Sequence, residues 1–262
     1  MTDPDRAAEV LARLDHVTDP ELDEPVTELG FVTAVAVDRD GVVAIDFRLP
    51  TYWCAANFAF MMADDMRREV AVLPWVTAVV PRLGEHMYAD KINHGVAHGL
   101  SFQDTFGDAA TDDLQQLRRT FLVKAFQRRQ EALLQHLQSI EAPETLVALS
   151  LTGLSQLKLN TPGERLRGRY LERRDIAGPA SPDALAFVDA DGRALDAAGL
   201  PAYLRALRRI GTNAEFNGAL CSALLAARFG EDRPADGEPT LLDFARMGPS
   251  RQPSRHGARA SP

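Results

Sequence analysis

Between Asp38 and Pro50 the chain has few conformations open to it. Val43, Ile45, Phe47 and Leu49 alternate with Ala44, Asp46 and Arg48, and a period of two puts all four apolar side chains on one face of a β-strand. Asp38-Arg39-Asp40-Gly41 reads as a hairpin turn, which makes Phe31 to Val37 the partner strand. A sheet that is apolar on one face needs a cover, and helical spacing supplies it twice. Ala7, Val10, Leu11 and Leu14 follow an Asp3-Pro4 start and predict a helix over 4–15. Phe58, Met61, Met62 and Met66 predict a second helix from Cys54 to about Val70. The polar stretch from His16 to Glu28, with Pro20 and Pro25, is a loop; Pro74 ends the second helix, and Trp75 to Val80 is a third, β-branched strand. The order α-β-β-α-β implies a three-stranded sheet with helices on one face.

Residues 84–110 read as a connector rich in Gly, His and Asp. Leu114, Leu117, Phe121 and Ala125 then mark one face of a long helix over about 112–140, and a short helical region covers 143–157. Ala186-Phe187-Val188 with the Asp191-Gly192 turn predicts a small hairpin, and two more helices follow near 201–210 and 213–229. From Gly230 onward Pro, Gly, Arg and Ser accumulate, the composition of a disordered tail. The fold class is therefore α+β: an α/β domain over 1–90, a connector over 91–110, a mostly helical domain over 111–230 and a tail over 231–262.

Composition narrows the chemistry. The two cysteines, Cys54 and Cys221, lie 167 positions apart and cannot supply a four-thiolate zinc or iron–sulfur site within one chain. No apolar run approaches the ~20 residues that span a bilayer, and the acidic, helical start is unlike a secretion signal. A cytoplasmic setting is expected, with no membrane partner and reduced thiols. The first 100 residues hold 8 basic against 17 acidic side chains, while the rest balance at 21 against 20. That negative field argues against nucleic acid as a partner of the N-terminal domain. Lysine occurs 3 times and arginine 26 times, a high-GC coding bias that points to a bacterial source.

Cys54 falls at the predicted N-terminus of its helix, where free N–H groups and the helix dipole favour a thiolate, the form that ligates metals. The plainer alternative is a small hydrophobe filling a gap. Glu85, His86, Asp90, His94 and His98 crowd into the connector, and His94 with His98 at i, i+4 has a spacing that metal sites use. Gly95 and Gly99 weaken a helix there, so solvated loop residues are the alternative, and iron with mixed nitrogen and oxygen ligands is the sharper reading. Cys221, among Ala219, Leu220, Ala223 and Leu224, reads as core. Arg118, Arg119, Arg128 and Arg129, and the later run Arg165, Arg167, Arg169, Arg173 and Arg174, read as solvated helix faces, or as surfaces for an acidic client or for the protein's own N-terminal domain. There is no glycine-rich phosphate loop, serine nucleophile elbow or H-E-x-x-H motif, so no enzymatic activity is expected.

Asp19-Pro20-Glu21, then Glu28-Leu29-Gly30-Phe31-Val32, then Leu49 to Cys54, then Leu73-Pro74-Trp75-Val76 resembles the family of small iron–sulfur cluster assembly domains that includes SufT and PaaD. The resemblance covers roughly residues 5–90 and implies the α-β-β-α-β fold already read from periodicity. It places Cys54 at the family's reactive cysteine, Asp19 and Glu21 at its acidic positions, and Glu28 where the family usually has Asp. Ala55 stands where the family has proline after the cysteine, and about 170 further residues follow. Cys54-Ala55-Ala56-Asn57-Phe58, with Gly99-Leu100 to Phe106-Gly107, is similar to a subgroup associated with bacterial soluble di-iron monooxygenases of the propane-oxidising type.

The resemblance implies a maturation factor. In that reading Cys54 handles iron or a transient iron–sulfur cluster, His86, Asp90 and His94 assist as ligands, and the helical half docks a client metalloprotein such as a di-iron hydroxylase. A homodimer could share the site. One rival is a metal-free chaperone or adaptor for an apo-enzyme, and another is a thiol enzyme for which only His86 or His94 could serve as base.

Overall fold

The structure is a computed structural model that describes residues 4–107 and 113–230. Its N-terminal part follows the predicted order: α1 (Pro4–Leu14), β1 (Val32–Val37), β2 (Val42–Phe47), α2 (Ala56–Ala71) and β3 (Ala78–Leu83). The strands form a mixed sheet in the order β1-β2-β3. β1 runs antiparallel to β2 from Val37↔Val43 to Val32↔Phe47, with a register shift between Val32 and Ala34. β2 runs parallel to β3 from Val42↔Ala78 to Phe47↔Leu83. The predicted alternation holds, since Val43, Ile45, Phe47 and Leu49 are all buried against Met62 and Met66 of α2 and Val10 and Leu14 of α1. In the hairpin turn, Asp38 Oδ1 accepts N–H bonds from Asp40 at 2.9 Å and Val42 at 2.8 Å. Gly41 has φ +82, and a Cβ there would lie 2.3 Å from the Trp75 carbonyl oxygen, so no other residue fits.

Several elements differ from the sequence expectation, each for a local reason. β3 starts three residues later than predicted, because Leu73 and Val76 are spent on turns that end α2: Leu73 N–H donates to Val70 O and Val76 N–H to Leu73 O. The connector is helical, with α3 (Ala89–Ala97) and α4 (Phe102–Phe106). Gly95 is no helix breaker. A Cβ there would sit 2.2 Å from Thr105 Oγ1, so its lack of a side chain lets α4 pack onto α3. Ile92, Val96, Phe102 and Phe106 consequently join the core of the sheet module.

The long helix is α5 (Leu114–Leu137), and the short helical region divides into α6 (Pro143–Ala148) and α7 (Leu151–Gln156). α8 (Thr161–Leu171) was not anticipated, although Asn160 caps it by accepting the Gly163 N–H at 2.9 Å and Pro162 lies in its first turn. The expected hairpin reduces to one bridge, Val188↔Ala194. The two predicted C-terminal helices are one, α9 (Leu200–Phe229), running through Gly211 without a break. The predicted tail over 231–262 lies outside the described residues.

Two apolar cores result. One is the sheet module with α1 to α4; the other packs Phe126, Leu133, Leu134, Tyr170, Phe187 and Leu200 with their neighbours. α5 and α9 belong to both. Leu114 packs on the first core while Phe126 to Leu137 fill the second, and α9 sends Leu200 and Leu204 into the second core and Leu225 into the first. Phe121 of α5 meets Phe58 of α2 edge to face, with ring centroids 5.0 Å apart.

Four arginines fasten the halves together, the alternative in which they meet the protein's own N-terminal domain, whereas Arg119 and Arg165 are exposed. Arg118 makes two bonds to Asp65, at 2.6 and 2.9 Å. Arg129 makes two to Asp23, at 2.5 and 2.9 Å, with only 7% and 5% of the two side chains exposed. Arg173 adds a 3.2 Å bond to Asp23, and Arg169 reaches Asp23 O and Glu24. Burial alone would lower the pKa of Arg129, but the hydrogen bond and charge of Asp23, followed by those of Glu172, outweigh it and raise it. Among the described residues no helix is long and apolar enough to cross a membrane.

Candidate functional site

The loop from Pro50 to Ala55 carries the predicted thiol. Pro50 follows β2 and has no N–H to continue a ladder. The loop is instead stitched to the segment after β3: Gly84 N–H donates to Phe47 O and Met87 N–H to Tyr52 O, both at 2.9 Å. His86 Nε2 lies 2.8 Å from the Cys54 carbonyl oxygen. Its tautomer follows from its other nitrogen, because Tyr88 N–H points at Nδ1 from 3.2 Å. Nδ1 accepts, so the proton sits on Nε2 and is donated to Cys54 O. His86 is 5% exposed and both ring nitrogens are engaged by backbone. In this arrangement it positions Cys54 and has no free lone pair for a metal.

Cys54 lies just ahead of α2, whose N-cap, Ala55, has no side chain to satisfy the first helical N–H groups. The thiol is half-buried against the first core, with Thr51 Oγ1 3.1 Å from Sγ. Around it the surface is apolar. Tyr52 is 50% and Trp53 72% exposed, and the adjoining turn adds Met87 and Tyr88 at 47% and 40%. Glu85 in that turn has φ +43, an uncommon conformation for a residue with a Cβ. Arg228 of α9 grips it there, donating to Glu85 O at 2.6 Å and Oε2 at 3.1 Å, and to Leu49 O at 3.1 Å.

The remaining predicted residues are spread out. Asp90 is exposed in the first turn of α3. His94 and His98 are exposed further along, rings 4.2 Å apart, and His98 Nδ1 lies 2.8 Å from the His94 carbonyl oxygen. Glu28 is exposed. Among the described residues, no group of three or more His, Cys, Asp and Glu side chains is placed to hold a metal ion. Cys54, His86, Asp90 and His94 therefore do not form a ready-made ligand set.

Asp19 and Glu21 are better placed. Asp19 is buried and its Oδ1 accepts the N–H groups of Glu21 at 2.9 Å and Leu22 at 2.8 Å. Its pKa is raised by burial, which outweighs those two bonds. Glu21 Oε1 accepts from Asn217 of α9 at 2.9 Å. One turn further along α9 comes Cys221, which is half-buried rather than sealed in a core. Its thiol pKa is pushed up to about 11, first by burial and then by the charges of Asp19, Cys54 and Glu21. The sequence reads Cys221 as core; the fold leaves it half-buried on α9, one turn beyond the Asn217–Glu21 contact.

Residues 7–80 match the family model of iron-sulfur cluster assembly proteins. The match covers just over a quarter of the 262 residues, and runs from α1 into β3. Asp19, Glu21, Glu28 and Cys54 fall inside it and Cys221 falls outside. It supports a role in iron–sulfur cluster handling for the module that holds Cys54. No curated protein and no solved structure matches the chain.

Proposed function

We propose that the protein is a non-catalytic maturation factor that takes up iron or an iron–sulfur cluster at Cys54, transiently, and passes it to a client metalloenzyme in the cytoplasm. The observation that carries this is the placement of Cys54: a free, half-buried thiol next to exposed Tyr52 and Trp53, on a loop bonded through His86 and Met87 to the turn that exposes Met87 and Tyr88, within the part of the chain that matches the assembly family. A thiolate supplies the bond to iron. Exposed aromatic and thioether side chains are the kind of surface that buries against a protein partner. The client we favour is a di-iron hydroxylase, supported by the likeness of the 54–58 and 99–107 stretches to proteins associated with such monooxygenases. His86 and Thr51 act as positioning residues, and Asp90 and His94 stand in solvent on α3, available to a cargo held against the client or against a second copy of this chain.

The test is iron and acid-labile sulfide content after anaerobic purification, with wild type beside Cys54→Ser, together with maturation of the client on co-expression. Loss of bound iron and of client metallation in the variant is the expected result. A variant that binds its client and matures it as well as wild type does refutes the thiol role, and favours the metal-free adaptor that the same aromatic surface would serve.

A further inference from the structure

Three cations from two helices line one groove that the site around Cys54 does not use. Lys124 and Arg128 lie four residues apart on α5, and Arg209, Asn213 and Asn217 recur at the same interval on α9, so each set shares a helix face. The two faces enclose a groove of about 250 Å³, with Phe121, Ile210 and Glu21 also in its lining. The Lys124 ammonium rests over the Phe121 ring, 4.7 Å from its centroid, which holds it at the groove. The neighbouring arginines are already matched: Arg129 and Arg173 take Asp23, Arg169 takes Glu24 and Arg208 takes Glu215. Among the described residues the side chains of Lys124, Arg128 and Arg209 form no ion pair and donate no hydrogen bond. Arg128 is the telling member. It is half-buried, and burial holds its pKa below the usual arginine value despite the attraction of Asp23 and Glu24. A guanidinium withdrawn from water without an acceptor is costly until one is supplied.

We propose that this groove binds a small oxyanion carrying two or more negative charges, a polycarboxylate or a condensed phosphate, which Arg128, Lys124 and Arg209 neutralise while the Asn213 amide donates to it. Three positive side chains against one negative, Glu21, leave the lining at +2, and Glu21 is itself engaged by Asn217 at 2.9 Å. That excess selects a multivalent anion over a monovalent one. Guanidinium groups bond carboxylate and phosphate oxygens in pairs, which gives the contact direction as well as charge. Size selects further, because the groove falls below the ~300–1,000 Å³ of pockets that take drug-sized ligands. The inference stands apart from the function proposed above, since neither Cys54 nor its loop lines the groove.

Calorimetric titration of the full-length protein with citrate and with pyrophosphate, in chloride at constant ionic strength, tests the site. At least one of the two should bind one-to-one, and the one that binds tells whether carboxylate or phosphoryl oxygens are recognised. Arg128→Gln, Lys124→Gln and Arg209→Gln should each weaken that binding about tenfold or more while keeping the wild-type circular dichroism spectrum. Arg205→Gln makes the same charge change at an exposed position of α9 outside the groove and should leave the affinity unchanged. Failure of both anions to bind wild type overturns the proposal. So does binding that survives the three groove variants, or that falls as far with Arg205→Gln. If a hexaglutamate peptide binds and neither small anion does, the occupant is an acidic protein segment and the small-ligand assignment falls.

Discussion

Replacing Asp23 by Asn should uncouple the two halves of the molecule. Asn keeps the size of the side chain and its tolerance of the left-handed backbone, φ +55, found at this position, so the change is one of charge. It leaves Arg129, 7% exposed, facing a neutral amide in place of a carboxylate that had accepted bonds at 2.5 and 2.9 Å. Breaking a buried ion pair from one side costs about 3–5 kcal/mol, and the lower end applies because Asn retains an acceptor and Glu172 still reaches Arg129. For a chain of this size about 3 kcal/mol corresponds to a fall in melting temperature of ~6–12 °C. The assay has a built-in division, since both tryptophans, Trp53 and Trp75, lie in the sheet module while far-ultraviolet circular dichroism follows the helices of both halves. Urea unfolding of wild type should give one coincident transition by the two probes. Asp23→Asn should give an earlier, split one, and Arg129→Met in the same background should add much less than it costs alone. A variant whose midpoint and coincidence match wild type would refute the claim that this pair joins the halves.

Three further outcomes follow from the geometry. Gln130 is fully buried, its amide nitrogen donating to Val188 O at 2.8 Å and its oxygen accepting from Tyr203 OH at 2.6 Å; Gln130→Leu should cost about 2 kcal/mol by chemical denaturation, because both partners lose their bond, and a neutral result would contradict the network. Gly95→Ala should cost about 1–3 kcal/mol by driving a methyl into Thr105, and Thr105→Ala in the same chain should recover most of it; if it recovers none, α4 does not pack where described. Asp19 has a folded pKa raised above 3.8 by burial, so its proton is held more tightly in the folded chain, and its contribution to stability is present below the unfolded value and lost as pH rises through the raised one. Asp19→Asn, which can still accept both backbone N–H groups, should therefore gain stability relative to wild type between acid and neutral pH; a difference that shrinks over that window would reverse the assignment.

The sheet module was legible because its signals are local. Alternation over 43–49, the Asp38–Gly41 turn and the methionine stripe of α2 each lie within a few residues, and the structure reproduces all of them. What escaped was set by partners distant in sequence. Gly95 weakens a helix in isolation, and only the approach of Thr105 turns it into a packing site. Gly211 falls between the two helices expected from the sequence, and α9 runs through it with one end in each core. Arg129 of α5 and Arg169 of α8 carry no mark of burial in the sequence, since their acidic partners lie more than a hundred positions away in the 19–24 loop. The candidate site divides in the same way. Cys54 and its loop were readable from the strand-to-turn pattern, whereas the neighbourhood of Cys221 depends on where a helix from the far end of the chain comes to rest.

That helix is a single rod of 30 residues, ~45 Å from end to end. Its first turns are clamped in the second core at Leu200 and Leu204, and Leu225, ~30 Å along the axis from Leu204, sits in the first. A tilt of ~10° about that end would carry Leu225 by ~5 Å, which its seat in the first core opposes. Whatever leans on the helical half of the molecule thus pushes on the sheet module through one continuous backbone.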